Sequence, residues 1–246
     1  MAVLVLAPVC IIAWTYTALG VGMNMTAIDM TGMASDMAMP PTAWTPMNSA
    51  LMFAMWWVMM VAMMLPSAAP MLFLYQRVVA RRNRDRALGD MTVFALGYLV
   101  TWGGFSLAAT GLHAAGELSG WVNGMMASSS HLLNAVLLIG AGGWQLTPVK
   151  NRCLEACRTP VVFLSRIWRP GAGGAFRMGI VHGVFCVGCC WAMMLLLFVG
   201  GVMNLYWIGG LALFALAEKL TPGWPLFDRL TGGALILSGM AVLVLG

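Results

Sequence analysis

Three cysteines fall within five residues, Cys186, Cys189 and Cys190, on an apolar stretch that also carries His182 and Met193. The spacing of His182, Cys186, Cys189 and Met193 is i, i+4, i+7, i+11, so an imidazole, two thiols and a thioether share one helical face. Cys190, four residues after Cys186, widens that face. Two thiolates with His or Met make a low-coordinate soft set suited to cuprous copper, or a tetrahedral one suited to zinc. Two other readings stay open. Cys186 and Cys189 have the C-x-x-C spacing of a dithiol–disulfide pair, and free cysteine also packs as a small hydrophobe. The redox reading is held back because no Lys or Arg is expected nearby to favour a thiolate, and burial in hydrocarbon disfavours one.

Further soft donors are grouped. Cys153 and Cys157 in R-C-L-E-A-C-R stand one helical turn apart, flanked by Arg152 and Arg158, while Cys10 is expected to be structural. In a reducing cytosol a disulfide between Cys153 and Cys157 is not expected. Met52, Met55, Met59 and Met63 line one helical face with Met60 and Met64 beside it, and Pro66 and Pro70 are expected to interrupt the helix just beyond. Met23, Met25, Met30, Met33, Met37 and Met39 crowd one polar segment with Asp29 and Asp36. Thioethers exposed to water serve no packing purpose, and the paired M-x-M spacings resemble the Met-rich copper-capture segments of periplasmic copper proteins. The alternative is a segment lying flat on lipid with its methionines inserted. His113 and Glu117, an i, i+4 pair, together with His131, are expected to meet at the rim beneath this segment, as ligands or in capping and hydrogen bonding.

The elements that must position these groups are apolar helices. With 61% hydrophobic and 9% charged residues in 246 and a mean hydropathy of +0.87, the chain lacks the roughly one-quarter charged residues of a soluble domain. Soluble enzyme classes and dinucleotide folds drop out. The long, unalternated apolar runs predict an all-α polytopic bundle forming one transmembrane helical domain over 1–246. About seven spans are expected, near 2–21, 50–74, 92–113, 129–148, 177–200, 204–219 and 229–246. The first is read as a span, not a signal peptide, because it lacks a basic leading region and an evident cleavage site.

Charge placement sets the expected orientation. All 13 basic residues fall in three connections: Arg77 to Arg86, the 150–176 connection with Arg177 at its end, and a last turn with Lys219 and Arg229. Cytoplasmic loops collect Lys and Arg, so the amino end is expected inside, the carboxyl end in the periplasm and the Met-rich 22–49 segment outside. The net charge of +5 is thus read as topology, with the lipid bilayer as partner and no nucleic acid. Gly179, Gly183 and Gly188 suggest a helix face that packs closely on a neighbour.

The stretches W-W-V-M-M-V-A-M-M-L-P, C-L-E-A-C-R and H-G-V-F-C-V-G-C-C-W-A-M-M, followed by G-V-M-N-L-Y-W, together resemble a bacterial family of predicted metal-binding integral membrane proteins of unknown function. The resemblance covers about residues 50–222. By match it picks out Met59, Met60, Met63, Met64 and Pro66, Cys153 and Cys157, His182, Cys186, Cys189, Cys190 and Trp191, and Met203 and Asn204.

The expectation is a multi-pass bacterial inner-membrane protein that binds cuprous copper, with zinc as the other metal, at His182, Cys186, Cys189, Cys190 and Met193, with Met59, Met63, Cys153 and Cys157. Copper would be passed on, or delivered to a copper-handling protein or a larger membrane complex. No nucleotide-binding or aspartyl-phosphate motif is present, so this chain does not pump by ATP. An accessory subunit of a membrane complex and a membrane thiol or copper redox protein are the alternatives, and an enzyme is the less favoured class.

Overall fold

The structure, a computed structural model, describes residues 2–20, 26–32, 43–124, 126–221 and 225–245. These residues are helical apart from turns and one isolated bridge between Val122 and Ser128. The helices are α1 (Ala2–Leu19), α2 (Ala27–Gly32), α3 (Pro46–Ala80), α4 (Ala87–Leu118), α5 (His131–Gln145) and α6 (Pro148–Arg158), then α7 (Pro160–Ile167), α8 (Gly171–Leu195), α9 (Leu197–Gly200), α10 (Leu205–Leu220) and α11 (Pro225–Leu245). Four of the long helical stretches, α3, α4, α8 with α9, and α11, are long and apolar enough to cross a membrane.

The expected seven spans are therefore not all matched by full-length helices. α5 stops after 15 residues, and α6 turns away from it by 65°. The sequence supplies the reason. Pro148 has no N–H to continue α5 and sits in the first turn of α6, where Thr147 accepts the Lys150 backbone N–H. At about 1.5 Å per residue, α5 or the 16-residue α10 falls short of a hydrocarbon core of about 30 Å. α1 is likewise a shorter apolar helix.

Pro66 and Pro70 do not interrupt α3, which runs through both to Ala80. Each proline withholds the N–H that the carbonyl four residues earlier would accept, but tight packing around this segment keeps the helical path. Met64, Leu65, Ala68, Met71 and Leu72 are all buried.

Small residues set how closely the helices approach. A Cβ on Gly179 of α8 would collide with the Phe94 carbonyl oxygen of α4, and one on Gly97 of α4 would collide with that of Phe176. Gly183 meets Thr101, and Gly188 faces the Cys153 sulfur on α6. The expected close-packed face is real, and its three glycines serve two different neighbours. α11 packs on α5 through Gly142, Gly232 and Gly239 in the same way.

Burial is inverted relative to a protein folded in water. Leu118, Leu213, Leu237 and Ile12 are exposed, whereas Lys150, Glu218, Lys219 and Asp228 are buried. Lys150 and Lys219 are thus not loop charges marking a side, as their places in the sequence suggested. Lys150 Nζ bonds to Glu218 and, at 3.1 Å, to Asp228. Gln145 Nε2 donates to Glu218 at 2.8 Å, and Arg158 Nε donates to the Glu218 carbonyl at 2.7 Å. A buried ion is tolerated only when paired and hydrogen-bonded, and this network ties the α5–α6 bend to α10 and α11.

Candidate metal centre

α3, α4, α6, α8 and α10 converge on Cys186. The helical register of α8 turns His182, Cys186, Cys189, Cys190 and Met193 inward, and all five are buried. α3 brings its methionines to the same core: Met52, Met55, Met59, Met60, Met63 and Met64 are all buried. The Met64 sulfur contacts the Cys190 thiol at 4.0 Å, so Met64, beside the expected Met59 and Met63, is the thioether in contact with a thiol. α6 does not stay outside as a surface connection. Gly188 lets Cys153 in, and Cys153 and Cys157 both pack, partly buried, against the core that holds Cys186, Cys189 and Cys190. The two cysteine groups of the sequence thus share one hydrophobic core.

Cys186 is the polar centre of that cluster. Lys219 Nζ of α10 donates to its sulfur at 3.0 Å and to Ser67 Oγ at 2.6 Å. Tyr98 Oη of α4 lies 3.1 Å from the same sulfur and 3.0 Å from the Met64 carbonyl. The Cys189 and Cys190 thiols donate instead to the Cys186 carbonyl, at 3.0 and 2.8 Å. A buried cation beside a sulfur is the arrangement that suits an anionic donor. This overturns the expectation that no Lys or Arg lies near these thiols.

Among the described residues, no three His, Cys, Asp or Glu side chains are arranged as a ready coordination shell. The thiols of Cys189 and Cys190 are turned back onto their own helix, and His182 packs between Phe94, Tyr98 and Phe163 with no hydrogen-bond partner for Nδ1. The donor chemistry nevertheless fits a soft monovalent ion: three buried thiols and the Met64 thioether share one core, with Cys157 packed against it, and thiolate and thioether are the donors that select cuprous copper. All six cysteines are free, so the thiols are available.

Other predicted residues take different roles. Met203 is buried, and its carbonyl accepts from Thr31 of α2 at 3.5 Å. Asn204 caps α10 by accepting the Tyr206 and Trp207 backbone N–H groups. Trp191 stacks edge-on against Trp144, and Cys10 is partly buried in α1. His131 is exposed at the start of α5, while His113 is fully buried. Of the Met-rich segment, Met30 is buried; Met23, Met25, Met33, Met37, Met39 and Asp36 lie outside the described residues.

Sequence reasoning missed Lys219, Tyr98 and Ser67. The signal for Lys219 was Ala217-Glu218-Lys219 at the end of an apolar run. An ionisable pair there is a functional hypothesis by default, but it was assigned to a turn.

No curated protein and no solved structure matches the chain. The PpoB2 family, described as copper chaperone, matches residues 53–242, the region that holds every donor converging on Cys186. The chain therefore belongs to the PpoB2 copper chaperone family.

Proposed function

We propose that this protein is a multi-pass protein of the bacterial inner membrane that takes up cuprous copper as cargo and hands it on through the Cys186 cluster. The observation that carries this reading is the burial of Cys186, Cys189, Cys190 and Met64 together beside Lys219, with Cys157 packed against them, in a chain of a copper chaperone family. Cys186 is the first donor. Its hydrogen bonds from Lys219, and from Tyr98 when that hydroxyl turns toward it, support charge on sulfur. Lys219 supplies the positive charge there until the cuprous ion arrives. Cys189, Cys190 and Cys157 stand beside Cys186 as neutral thiols, and Cys189 or Cys190 turning its sulfur from the Cys186 carbonyl to the ion would add a second, weaker donor. Met64, Met59, Met63 and Met193 supply thioethers, and Cys153 lies next to the path on α6.

In this reading the helices cross the bilayer seven times, with α5 and α10 as short crossings held by the buried ion network. The Arg77 to Arg86 and Arg152 to Arg177 clusters face the cytoplasm and the carboxyl end faces the periplasm. The Met-rich 22–49 segment is then a periplasmic collecting surface, and the recipient is a copper-handling protein. Zinc fits less well, because a structural zinc site closes four N or S ligands in a tetrahedron.

The test is anaerobic copper binding by purified protein in detergent. About one cuprous ion should bind tightly with sulfur ligation, and Cys186→Ser with Cys189→Ser should abolish tight binding, because only weaker neutral donors stay. Stoichiometric copper retained in that double variant would move the site elsewhere.

The contact between Lys219 and Cys186 also favours a second reading, a thiol redox protein. Trapping of a partner through a mixed disulfide at Cys186 in a Cys189→Ser variant, with no copper bound by the wild type, would select it.

A further inference from the structure

At the other end of α3 lies a second imidazole that the thiol cluster does not use. His113 of α4 is fully buried, and neither Nδ1 nor Nε2 has a hydrogen-bond partner among the described residues. A neutral imidazole offers one donor and one acceptor, and a buried group left without either calls for an explanation such as an ion. Among the described residues no Lys or Arg is hydrogen-bonded to it. Its ring neighbours are Trp44 at 5.4 Å, Phe198 at 6.0 Å and Trp56 at 6.5 Å between centroids. Trp44 is held in place by donating from Nε1 to Glu117 Oε2 at 2.8 Å.

Soft donors share this end. Met52 stands one turn before Trp56 on α3 and Met55 directly precedes it, and both are buried in the same core cluster as Trp56. Two residues of the 22–49 segment are fixed at neighbouring helices: Thr31, between Met30 and Met33, accepts the Leu205 backbone N–H at 2.9 Å, and Trp44 packs against His113. Trp56 and Met64 are separated by about 12 Å along α3, so this locus is not the thiol cluster.

We propose that His113 is the imidazole ligand of a second, thiol-free cuprous site, completed by the Met52 or Met55 thioether and walled by Trp44 and Trp56. This rests on the copper reading above and gives it an entry station. An imidazole with one thioether binds a soft monovalent ion more weakly than thiolates do, and indole faces attract a bare cation while keeping water out. An ion collected between the ends of the Met-rich segment would thus meet a weak site first and the thiols second.

The test uses full-length protein in detergent, titrated anaerobically with cuprous ion and, separately, with silver ion as a redox-inert probe. The wild type should bind about two ions, a sulfur-bound one and a weaker one with imidazole scattering in X-ray absorption. His113→Leu should lose the weaker ion and its imidazole component and keep the sulfur-bound one, while His131→Ala keeps both. Because Leu removes the unpartnered nitrogens, metal-free His113→Leu should melt no lower than wild type, which separates loss of binding from loss of fold.

Isotope-labelled wild type gives a reading without any variant at the site. Of its three imidazoles, the one assigned to His113 should shift as the second equivalent of silver is added. Two ions with an imidazole component in His113→Leu, or a single all-sulfur ion in the wild type, would overturn this proposal and leave the thiol site standing. No copper in the wild type would overturn the copper reading itself, and this one with it.

Discussion

Lys219 Nζ lies 3.0 Å from Cys186 Sγ, a contact between helices α10 and α8 whose residues stand 33 positions apart in the chain. It places a cation against the sulfur of the most buried thiol in the cluster, where solvent is absent. Ser67, the other partner of the Lys219 ammonium, is neutral, so the charge balance at this locus rests on sulfur.

Replacing Lys219 by Met keeps the bulk and removes the cation. The thiolate is the reactive form of cysteine, so alkylation of Cys186 by a small membrane-permeant reagent should slow by about tenfold or more, read residue by residue by mass spectrometry. An unchanged rate would show that the ammonium does not hold charge on that sulfur.

Copper occupancy should separate the two methionine groups. Replacing the six methionines between Met23 and Met39 by Leu should lower occupancy only when copper is scarce, because the thiols still set the final affinity. Met64→Leu should weaken it at every concentration, about tenfold for the loss of one soft donor. Identical behaviour of both variants and the wild type would assign both groups to packing.

The α4–α8 contact predicts an asymmetry between glycines. Gly179→Ala drives a methyl group toward the Phe94 carbonyl and should cost about 1–3 kcal/mol or more. Gly104→Ala on α4 has nothing within 4 Å and should be neutral or stabilising by about 0.5–1 kcal/mol. Thermal unfolding in detergent measures both. Equal effects would show that the helices can separate without penalty.

Glu218→Gln leaves the Lys150 ammonium, 0% exposed, with Asp228 as its remaining carboxylate. Breaking a buried pair from one side typically costs about 3–5 kcal/mol, whereas replacing both partners with apolar residues of similar volume is far milder. Unfolding of Glu218→Gln against Lys150→Met with Glu218→Leu should therefore rank the double variant as the more stable. The opposite ranking would assign this network a role other than pairing buried charge.

Reporter fusions check orientation. Fusions at Arg84 and Arg169 should read cytoplasmic and fusions at Asp36 and after Gly246 periplasmic, because clustered Arg is retained inside. A periplasmic signal from either arginine cluster would invert the proposed direction of copper passage.

Much of the centre was legible in the sequence because it is written in one helix at a time. Periodicity alone placed His182, Cys186, Cys189, Cys190 and Met193 on one face of α8 and the methionines on one face of α3, and both faces are buried. The Gly179 and Gly183 face was legible for the same reason. Helix length was not: Pro148 and the Thr147 cap end α5 within an apolar run that hydropathy reads as continuous, and α3 passes Pro66 and Pro70 because its surroundings hold it.

By itself the sequence determined that the chain is helical and strongly apolar, that soft sulfur donors face inward from α3 and α8, and that its arginines cluster in two connections. Those properties follow from composition and from a repeat of 3.6 residues, which need no partner helix. Only the tertiary structure decided that Cys157 packs against the core of Cys186 and Cys189, that Met64 is the thioether at Cys190, and that Lys219 belongs to the sulfur while Lys150 belongs to Glu218. Each of these joins residues on different helices. A lysine at a helix end reads the same in sequence whether it meets solvent or a buried partner, and only the packing of the neighbouring helices selects between them.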